Sequence, residues 1–178
     1  ERKIDLLQKI HRLSDAEKVE QKYIDIPEIR HRVIDGLISR KEFEDAVKCL
    51  HEGIDAALKE KHPGIVDQWK KLELEIYEKQ GDKPEQISMC RELFISARGS
   101  MEYYHKLKLL VPKGDWKGYL KNLLEDAKIK NNVIFGSSIL ADIFVEEKDS
   151  ESLYQFIRKQ TYDQLIMLDH YSRFVNDD

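Results

Sequence analysis

Apolar residues recur at three- and four-residue steps along most of this sequence, and this spacing restricts the possible folds more than any other feature. The clearest stripe carries Phe43, Ala46, Val47, Leu50, Ile54, Ala57 and Leu58. Such spacing places apolar side chains on one face of an α-helix. Threonine occurs once, at Thr161, so segments with strand propensity are scarce, and the four prolines and eight glycines leave room for only a few short turns. The sequence therefore predicts an all-α fold.

The charged residues point to a soluble chain with no general attraction to nucleic acid. They make up 36% of the 178 residues, above the usual ~25%, as expected for helices with solvated faces. The net charge is −4 and the two signs are interspersed, so no basic stripe is available for a phosphate backbone. The sequence has no apolar run of the length that a membrane span needs and no visible signal peptide. We therefore expect a cytoplasmic protein with no membrane partner.

The N-terminal part of the chain is predicted to differ from the rest. A first helix is expected over residues 3–13, and residues 15–23 extend it or form a linker. The apolar side of the first helix is formed by Ile4, Leu6, Leu7 and Ile10. Pro27 suits the first turn of the next helix, where its missing N–H is harmless. Residues 1–26 are therefore predicted as a helical lead-in or linker, and residues 27–178 as a helical-repeat domain.

Turn residues and apolar stripes divide the remaining chain into further helices. Gly81 is predicted to end a helix over residues 65–80 in the left-handed conformation. The segment 133–144 is apolar almost all round, so we expect it to be the most buried helix. It carries Val133, Ile134, Phe135, Ile139, Leu140, Ile143 and Phe144. Thr161 is expected to cap a final helix.

The predicted helices come in pairs that recur along the chain. Pairs start near residues 28, 65, 101 and 132, a spacing of about 31 to 37 residues that is close to the tetratricopeptide (TPR) period. A similar turn recurs at residues 76–82 and 144–149, and residues 113–116 resemble it. One helical hairpin cannot bury both of its faces, so neighbouring hairpins must stack. The sequence predicts an αα-superhelix of TPR-like helical hairpins, with an irregular helical bundle as the alternative.

Residues that could carry chemistry form no recognisable site. His51-Glu52 begins like a zinc-protease helix motif, but the position of the second histidine holds Asp55. The cysteines, Cys49 and Cys90, have no metal-ligand spacing and are expected to be small core residues. Phosphate-binding glycine loops and the G-x-S-x-G nucleophile motif are absent from the sequence. We predict a protein with no catalytic residue, no metal site and no cofactor.

The most unusual local cluster is Tyr103-Tyr104-His105 followed by Lys106 and Lys108. Aromatic and basic residues together could stack on bases and neutralise a nucleic-acid strand. The alternative is that a tyrosine belongs to the core and the lysines form a solvated face. The two tryptophans lie on apolar stripes and are expected to be core residues.

Much of the chain resembles the C-terminal helical region of bacterial SWIM zinc-finger proteins. The resemblance rests on residues 30–34, 43–47, 53–54, 69–77, 90–95, 103–108, 111–112, 116 and 143–147. It implies a helical domain that is the C-terminal part of a larger protein. The family's zinc site uses a CxC pair followed by CxH, and neither motif occurs here, so the zinc module is expected outside these residues. The role implied for the family is general, binding of nucleic acid or of protein.

The predicted function is that of a non-catalytic scaffold for protein–protein or intramolecular interaction. In stacked hairpins the first helix of each pair is expected to line the concave side, where such arrays hold partners. Lys70, Tyr103 and Lys108 are predicted to contact the partner, because each is expected to lie beside an apolar stripe rather than on it. The alternative is an accessory nucleic-acid-binding domain that acts with a zinc module outside this chain.

Overall fold

Ten α-helices make up the described part of the chain, and no β-strand occurs there. The structure, a computed structural model, describes residues 2–97, 99–131 and 137–159. The helices are α1 (Arg2–Lys9), α2 (Leu13–Lys22), α3 (Pro27–Ser39), α4 (Phe43–Lys59), α5 (Pro63–Gln80), α6 (Lys83–Ser96), α7 (Met101–Leu110), α8 (Trp116–Asn131), α9 (Ser137–Glu146) and α10 (Ser150–Lys159). The predicted all-α fold is confirmed. Phe135 and the helix predicted after Thr161 lie outside the described residues.

The chain divides into two compact units, Glu1–Met89 and Cys90–Asp178, with the boundary inside α6. We call them unit 1 and unit 2. The lead-in or linker predicted over residues 1–26 forms the two helices α1 and α2, and it belongs to unit 1 together with α3. The boundary between the units therefore falls elsewhere than the boundary predicted after residue 26.

In unit 1, α4 packs against both α3 and α5. The apolar stripe predicted for α4 supplies the centre of this core, since Ala46 and Leu50 are fully buried. The core cluster consists of Ile34, Ala46, Leu50, Trp69, Leu72 and Ile76. Trp69 is thus a core residue, as the sequence predicts. Leu58, at the end of the stripe, is 58% exposed and takes no part.

The first helix ends earlier than predicted, at Lys9 rather than near residue 13. The reason is a turn in which His11 adopts a positive φ of 58°, which stops the helix and starts α2 at Leu13. Ile4 is buried with Ala16 and Ile29, but Leu6 and Ile10 are exposed. The predicted apolar side of this helix is therefore wrong for Leu6 and Ile10.

Five of the turns between helices share one backbone geometry. In the turn after α5, Gly81 has a φ of 73°, and the next N–H, of Asp82, donates to the carbonyl of Tyr77 at 3.1 Å. This is the Schellman arrangement that closes a helix C-terminus. The residues with positive φ in the five turns are His11, Lys41, Lys61, Gly81 and Lys148. The similarity predicted between the turns at 76–82 and 144–149 has this physical basis.

The turn before α8 is different, contrary to its predicted resemblance. Gly114 does not adopt the left-handed conformation. Val111 is extended, with φ −77° and ψ 135°, because a residue that precedes proline is pushed out of the helical region. The N–H of Asp115 instead donates to the carbonyl of Pro112 at 2.9 Å. The extended backbone that Pro112 imposes on Val111 therefore determines the geometry of this turn.

Unit 2 has a core to which each of its five described helices contributes, including the C-terminal part of α6. Its buried residues include Leu93, Phe94, Tyr104, Leu107, Leu123, Ala127, Ile143 and Leu153. In α9, the described part of the segment predicted to be most buried, Leu140, Ala141 and Ile143 are buried while Ile139 and Phe144 are half-buried. Phe144 reaches α10 through an edge-to-face contact with Phe156, at 6.0 Å between ring centroids.

Candidate functional site

A groove of about 610 Å³ in unit 1 is lined chiefly by residues of α2, α3 and α4. We call it the unit 1 groove. Its apolar lining consists of Leu13, Ala16, Ile24, Val33 and Leu37. Its volume falls within the range of about 300 to 1,000 Å³ that ligand sites occupy. The groove is therefore large enough to receive several side chains of a partner.

Arg32 fixes the helices that line the groove. Its guanidinium contacts Asp5 Oδ1 of α1 at 2.5 Å and Gln8 Oε1 of α1 at 2.5 Å. It also lies 3.3 Å from Glu20 Oε1 of α2. One side chain of α3 thus ties both preceding helices in place, and the planar guanidinium with its several donors suits this role.

Gly36 lies in the interior of α3 and lines the groove. A Cβ built there would meet only the Nη1 atom of Arg40, at 3.5 Å, an ordinary contact distance. Helix geometry does not require a glycine at this position, and glycine costs about 0.5 to 1 kcal/mol relative to alanine in a helix interior. What the missing side chain provides is space, because a partner can approach the helix backbone closely at this point.

The charges around the groove are mostly carboxylates. Glu17 of α2 and Asp45 and Glu52 of α4 are exposed lining residues. Arg40 hydrogen-bonds Glu42 at 3.0 Å. That bond raises the pKa of Arg40, and the charges of Glu17 and Glu20 act in the same direction. Arg40 thus lies in the negative field of this part of the surface.

Beside the groove, a buried arginine crosses a glycine. Arg30 is only 5% exposed, and its Nη1 donates to the carbonyl oxygen of Cys49 at 2.8 Å. Burial raises the pKa of the Cys49 thiol, although the charge of Arg30 opposes that shift. A Cβ on Gly53 would lie 2.6 Å from Cδ of Arg30 and 3.3 Å from Nε1 of Trp69. Gly53 is therefore required by the close approach of Arg30.

Replacing Gly53 by alanine is expected to destabilise unit 1 by about 1 to 3 kcal/mol. The added methyl group would come too close to the side chain of Arg30, which is buried at this point. Urea denaturation measures the change. Gly64→Ala is the matched control, since nothing lies within 4 Å of its added Cβ, and it is expected to stay within about 0.5 kcal/mol of the wild type. Equal stability of the two variants would contradict the steric role of Gly53.

A second polar cluster in unit 1 centres on Glu73, which is 4% exposed. Its Oε1 lies 2.7 Å from Nε2 of His51 and accepts a hydrogen bond from the hydroxyl of Tyr77 at 3.0 Å. Burial and the charge of Glu73 both raise the pKa of Tyr77. His51, where the sequence begins like a zinc-protease motif, is thus paired with a carboxylate. The His51 ring and the Tyr77 hydroxyl thus meet at one oxygen of Glu73, so this buried side chain has hydrogen-bond partners, as buried polar groups generally do.

Unit 2 contains a larger polar network around Glu147, just beyond the end of α9. Its Oε1 accepts hydrogen bonds from the Tyr104 hydroxyl at 2.5 Å and Trp116 Nε1 at 2.9 Å. Lys108 Nζ lies 2.8 Å from the same oxygen and 3.1 Å from Oε1 of Glu146. Three segments, α7, α8 and the end of α9, thus meet at one carboxylate.

The network shifts the pKa values of its members. Burial alone would raise the pKa of Glu147, but the hydrogen bonds from Lys108, Tyr104 and Trp116 outweigh it and hold that pKa below its usual range. Burial would lower the pKa of Lys108, and its bonds to Glu147 and Tyr104 raise it instead. Every group in the network has a partner of opposite charge or a hydrogen-bond acceptor. The network therefore has a structural role: it connects α7, α8 and the end of α9.

The three residues predicted to contact a partner lie in different surroundings. Lys70 is half-buried on α5 in unit 1. Tyr103 is 5% exposed, so its predicted position beside the apolar stripe is wrong, because α7 buries two successive tyrosines. Lys108 is in the Glu147 network. That these three residues bind a partner stays a prediction.

The structure also bears on the aromatic and basic cluster of α7. Tyr103 and Tyr104 are both buried, and Lys108 and His105 pair with glutamates. The alternative placed one tyrosine in the core, and the structure buries both. The lining residues of the unit 1 groove are ones that sequence reasoning missed. A glycine inside a well-formed helix, Gly36, was the signal that could have indicated a close approach there.

In the described residues, no group of three or more histidine, cysteine or acidic side chains could hold a metal ion. Nor is any helix in that part of the chain both long and apolar enough to cross a membrane. Comparison of the sequence with protein-family models and curated proteins, and of the structure with solved structures, found no match. The groove and its geometry are therefore the basis for the functional argument.

Proposed function

We propose that this chain is a non-catalytic, cytoplasmic scaffold of TPR-like helical hairpins in an αα-superhelix, and that it binds a protein segment in the unit 1 groove. The segment belongs to a partner protein or to another part of the same polypeptide. The observation that carries the proposal is the groove itself, which combines an apolar lining with exposed charged residues. Grooves between helices are a recurrent way of holding peptides.

Two further features support the proposal. Short left-handed turns close five of the described helices, so successive helices are joined by brief connections, as an array of helical hairpins requires. In addition, α3, which begins at Pro27 and is the first helix of its predicted pair, contributes Val33, Gly36 and Leu37 to the groove. In an array of stacked hairpins, the first helix of each pair is the one predicted to line the partner-binding side.

Filling the groove is expected to abolish peptide binding. A displayed repertoire of random peptides is selected on the purified chain, and the affinity of the enriched peptides is then measured for two variants. Gly36→Trp places an indole in the groove, since the backbone leaves room for a side chain there. Gly64→Trp is the matched control, because it adds the same indole to α5 at a position with nothing within 4 Å of its Cβ.

The expected result is that Gly36→Trp weakens binding at least about tenfold, a loss of about 1.4 kcal/mol, while Gly64→Trp binds like the wild type. Unchanged melting temperatures establish that both variants are folded. If the enriched peptides bind the folded Gly36→Trp variant at full strength, the groove is not the binding site. A repertoire that yields no binder to the wild type contradicts the proposal altogether.

The proposal extends to the parent protein. We propose that the chain is the C-terminal helical part of a larger SWIM zinc-finger-like protein, whose zinc module lies outside these residues. A CxC and CxH motif upstream in the full gene would test this directly. Nucleic-acid binding by the parent protein is the alternative, and its affinity would fall steeply with salt concentration, because phosphate contacts release counterions.

A further inference from the structure

The carboxylates around the unit 1 groove outnumber the cations. Among the described residues that line the groove or pair with a lining residue, six are acidic and four are basic. The acids are Asp5, Glu17, Glu20, Glu42, Asp45 and Glu52, and the bases are Arg30, Arg32, Arg40 and Lys48. The surroundings of the groove are therefore negative overall.

The cations of this set are largely neutralised already. Arg32 lies between the carboxylates of Asp5 and Glu20. Arg40 is paired with Glu42, and the buried Arg30 lies 3.6 Å from Glu52. Of the four bases, Lys48 alone is an exposed lining residue without an ion pair among the described residues. The same pairs occupy Asp5, Glu20, Glu42 and Glu52. Among the described residues, an incoming ligand thus meets Glu17 of α2 and Asp45 of α4 as exposed carboxylates without an ion pair, beside the ammonium group of Lys48 and the exposed but paired Arg40.

The dimensions of the groove suit a short helix. Its lining along α3 and the residue that follows it runs from Arg32 to Arg40, a distance of about 12 Å at about 1.5 Å per residue. About two turns of a partner helix match that length. The apolar lining would receive side chains spaced three and four residues apart, and the gap at Gly36 would admit the largest of them.

We propose that the unit 1 groove binds a basic amphipathic helix, with its apolar side chains against Val33 and Leu37 and its lysine or arginine residues beside Glu17, Asp45 and Glu52. This inference rests on the proposed function and adds the chemical class of the partner. Carboxylates on both α2 and α4 select for positive charge on both flanks of the ligand, and apolar contacts supply most of the affinity.

Two designed peptides test the proposal against the full chain. Both are about 14 residues long, or about 21 Å as a helix, with leucine at helical spacing; one has lysine and the other glutamate at the charged positions. Isothermal titration calorimetry measures their affinity for the wild type and the variants. Glu17→Lys/Asp45→Lys reverses two lining charges. Glu28→Lys/Glu44→Lys changes the net charge equally at exposed positions that do not line the groove.

The lysine peptide is expected to bind the wild type, and to bind Glu17→Lys/Asp45→Lys about tenfold more weakly, since each reversal removes an exposed ion pair and adds a repulsion. Lys48→Glu is expected to tighten binding about threefold. Glu28→Lys/Glu44→Lys is expected to change it less than about twofold, and higher salt to weaken binding of the wild type moderately.

The proposed function and this inference can fail separately. If the glutamate peptide binds as tightly as the lysine peptide, and Gly36→Trp removes both, the groove is a peptide site and the inference about charge is wrong. If Glu28→Lys/Glu44→Lys weakens binding of the lysine peptide as much as Glu17→Lys/Asp45→Lys does, and Gly36→Trp leaves it unchanged, the peptide responds only to net charge, which also overturns the inference. Failure of both designed peptides to bind overturns it too, while the random repertoire decides on the proposed function.

Discussion

Leu123→Ala is expected to destabilise unit 2 by about 2 to 5 kcal/mol, the cost of truncating a fully buried leucine. Leu123 of α8 has no exposed surface, so alanine leaves a cavity as well as removing apolar contacts. Phe135, in the segment that the sequence predicts to be most buried, lies outside the described residues. Leu123 therefore provides the test of the unit 2 core.

The chain offers a matched control for this substitution. Leu109 of α7 also belongs to unit 2 but is 87% exposed, and Leu109→Ala is expected to change stability by less than about 0.5 kcal/mol. Urea denaturation followed by the fluorescence of Trp116 reports on unit 2, if all variants are compared in a Trp69→Phe background. Similar midpoints for Leu123→Ala and Leu109→Ala would show that the unit 2 core is assigned incorrectly.

Glu147→Ala is expected to cost about 2 to 4 kcal/mol, because it leaves the donors of Tyr104, Trp116 and Lys108 without their shared acceptor. Tyr104 is fully buried and Trp116 nearly so, and water cannot readily replace the carboxylate for either. Glu125→Ala removes an exposed carboxylate from α8 and is the control, with an expected change below about 0.5 kcal/mol. Equal effects of the two substitutions would rule out the structural role of Glu147.

The same network predicts a pH dependence. The pKa of Glu147 is lowered in the folded chain, so its contribution is fully present above the unfolded value of about 4.3 and is lost as the pH falls through the folded pKa. The difference in the free energy of unfolding between the wild type and Glu147→Gln should therefore be largest at neutral pH. This difference should decrease below about pH 4.3. Urea midpoints measured across this range test it, and a difference that stays constant with pH would contradict the charge assignment.

The recurring turns show how far local sequence reasoning reaches. Gly81 ends α5 in the left-handed conformation as predicted, because glycine pays no steric penalty there. The equivalent positions of Lys41 and Lys61 carry no such signal, since lysine rarely adopts positive φ. There the backbone hydrogen bonds that close the helix outweigh the cost of the conformation. The end of α1 at Lys9, which has neither glycine nor proline beside it, is accordingly placed wrongly by the sequence.

Most of the candidate site could not be predicted from the sequence. Val33, Gly36 and Leu37 come together with Leu13 and Ala16 only because α2 packs beside α3, and the apolar spacing within one helix does not specify which neighbour packs against it. The sequence predicts Tyr103 as a partner contact because aromatic residues are common at interfaces. The packing of α7 buries Tyr103 instead.

The sequence by itself determined that the described chain is helical and where its central helices lie, because three- and four-residue apolar spacing and the positions of Pro27, Pro63 and Gly81 act within one helix at a time. The tertiary structure alone decided which side chains are covered. Leu6 and Ile10 are as apolar as Ile4 but remain exposed, since burial depends on which neighbour packs against a face. The charge of the unit 1 groove likewise depends on pairs between helices, such as Arg32 with Asp5 and Glu20, and no local pattern encodes such pairs.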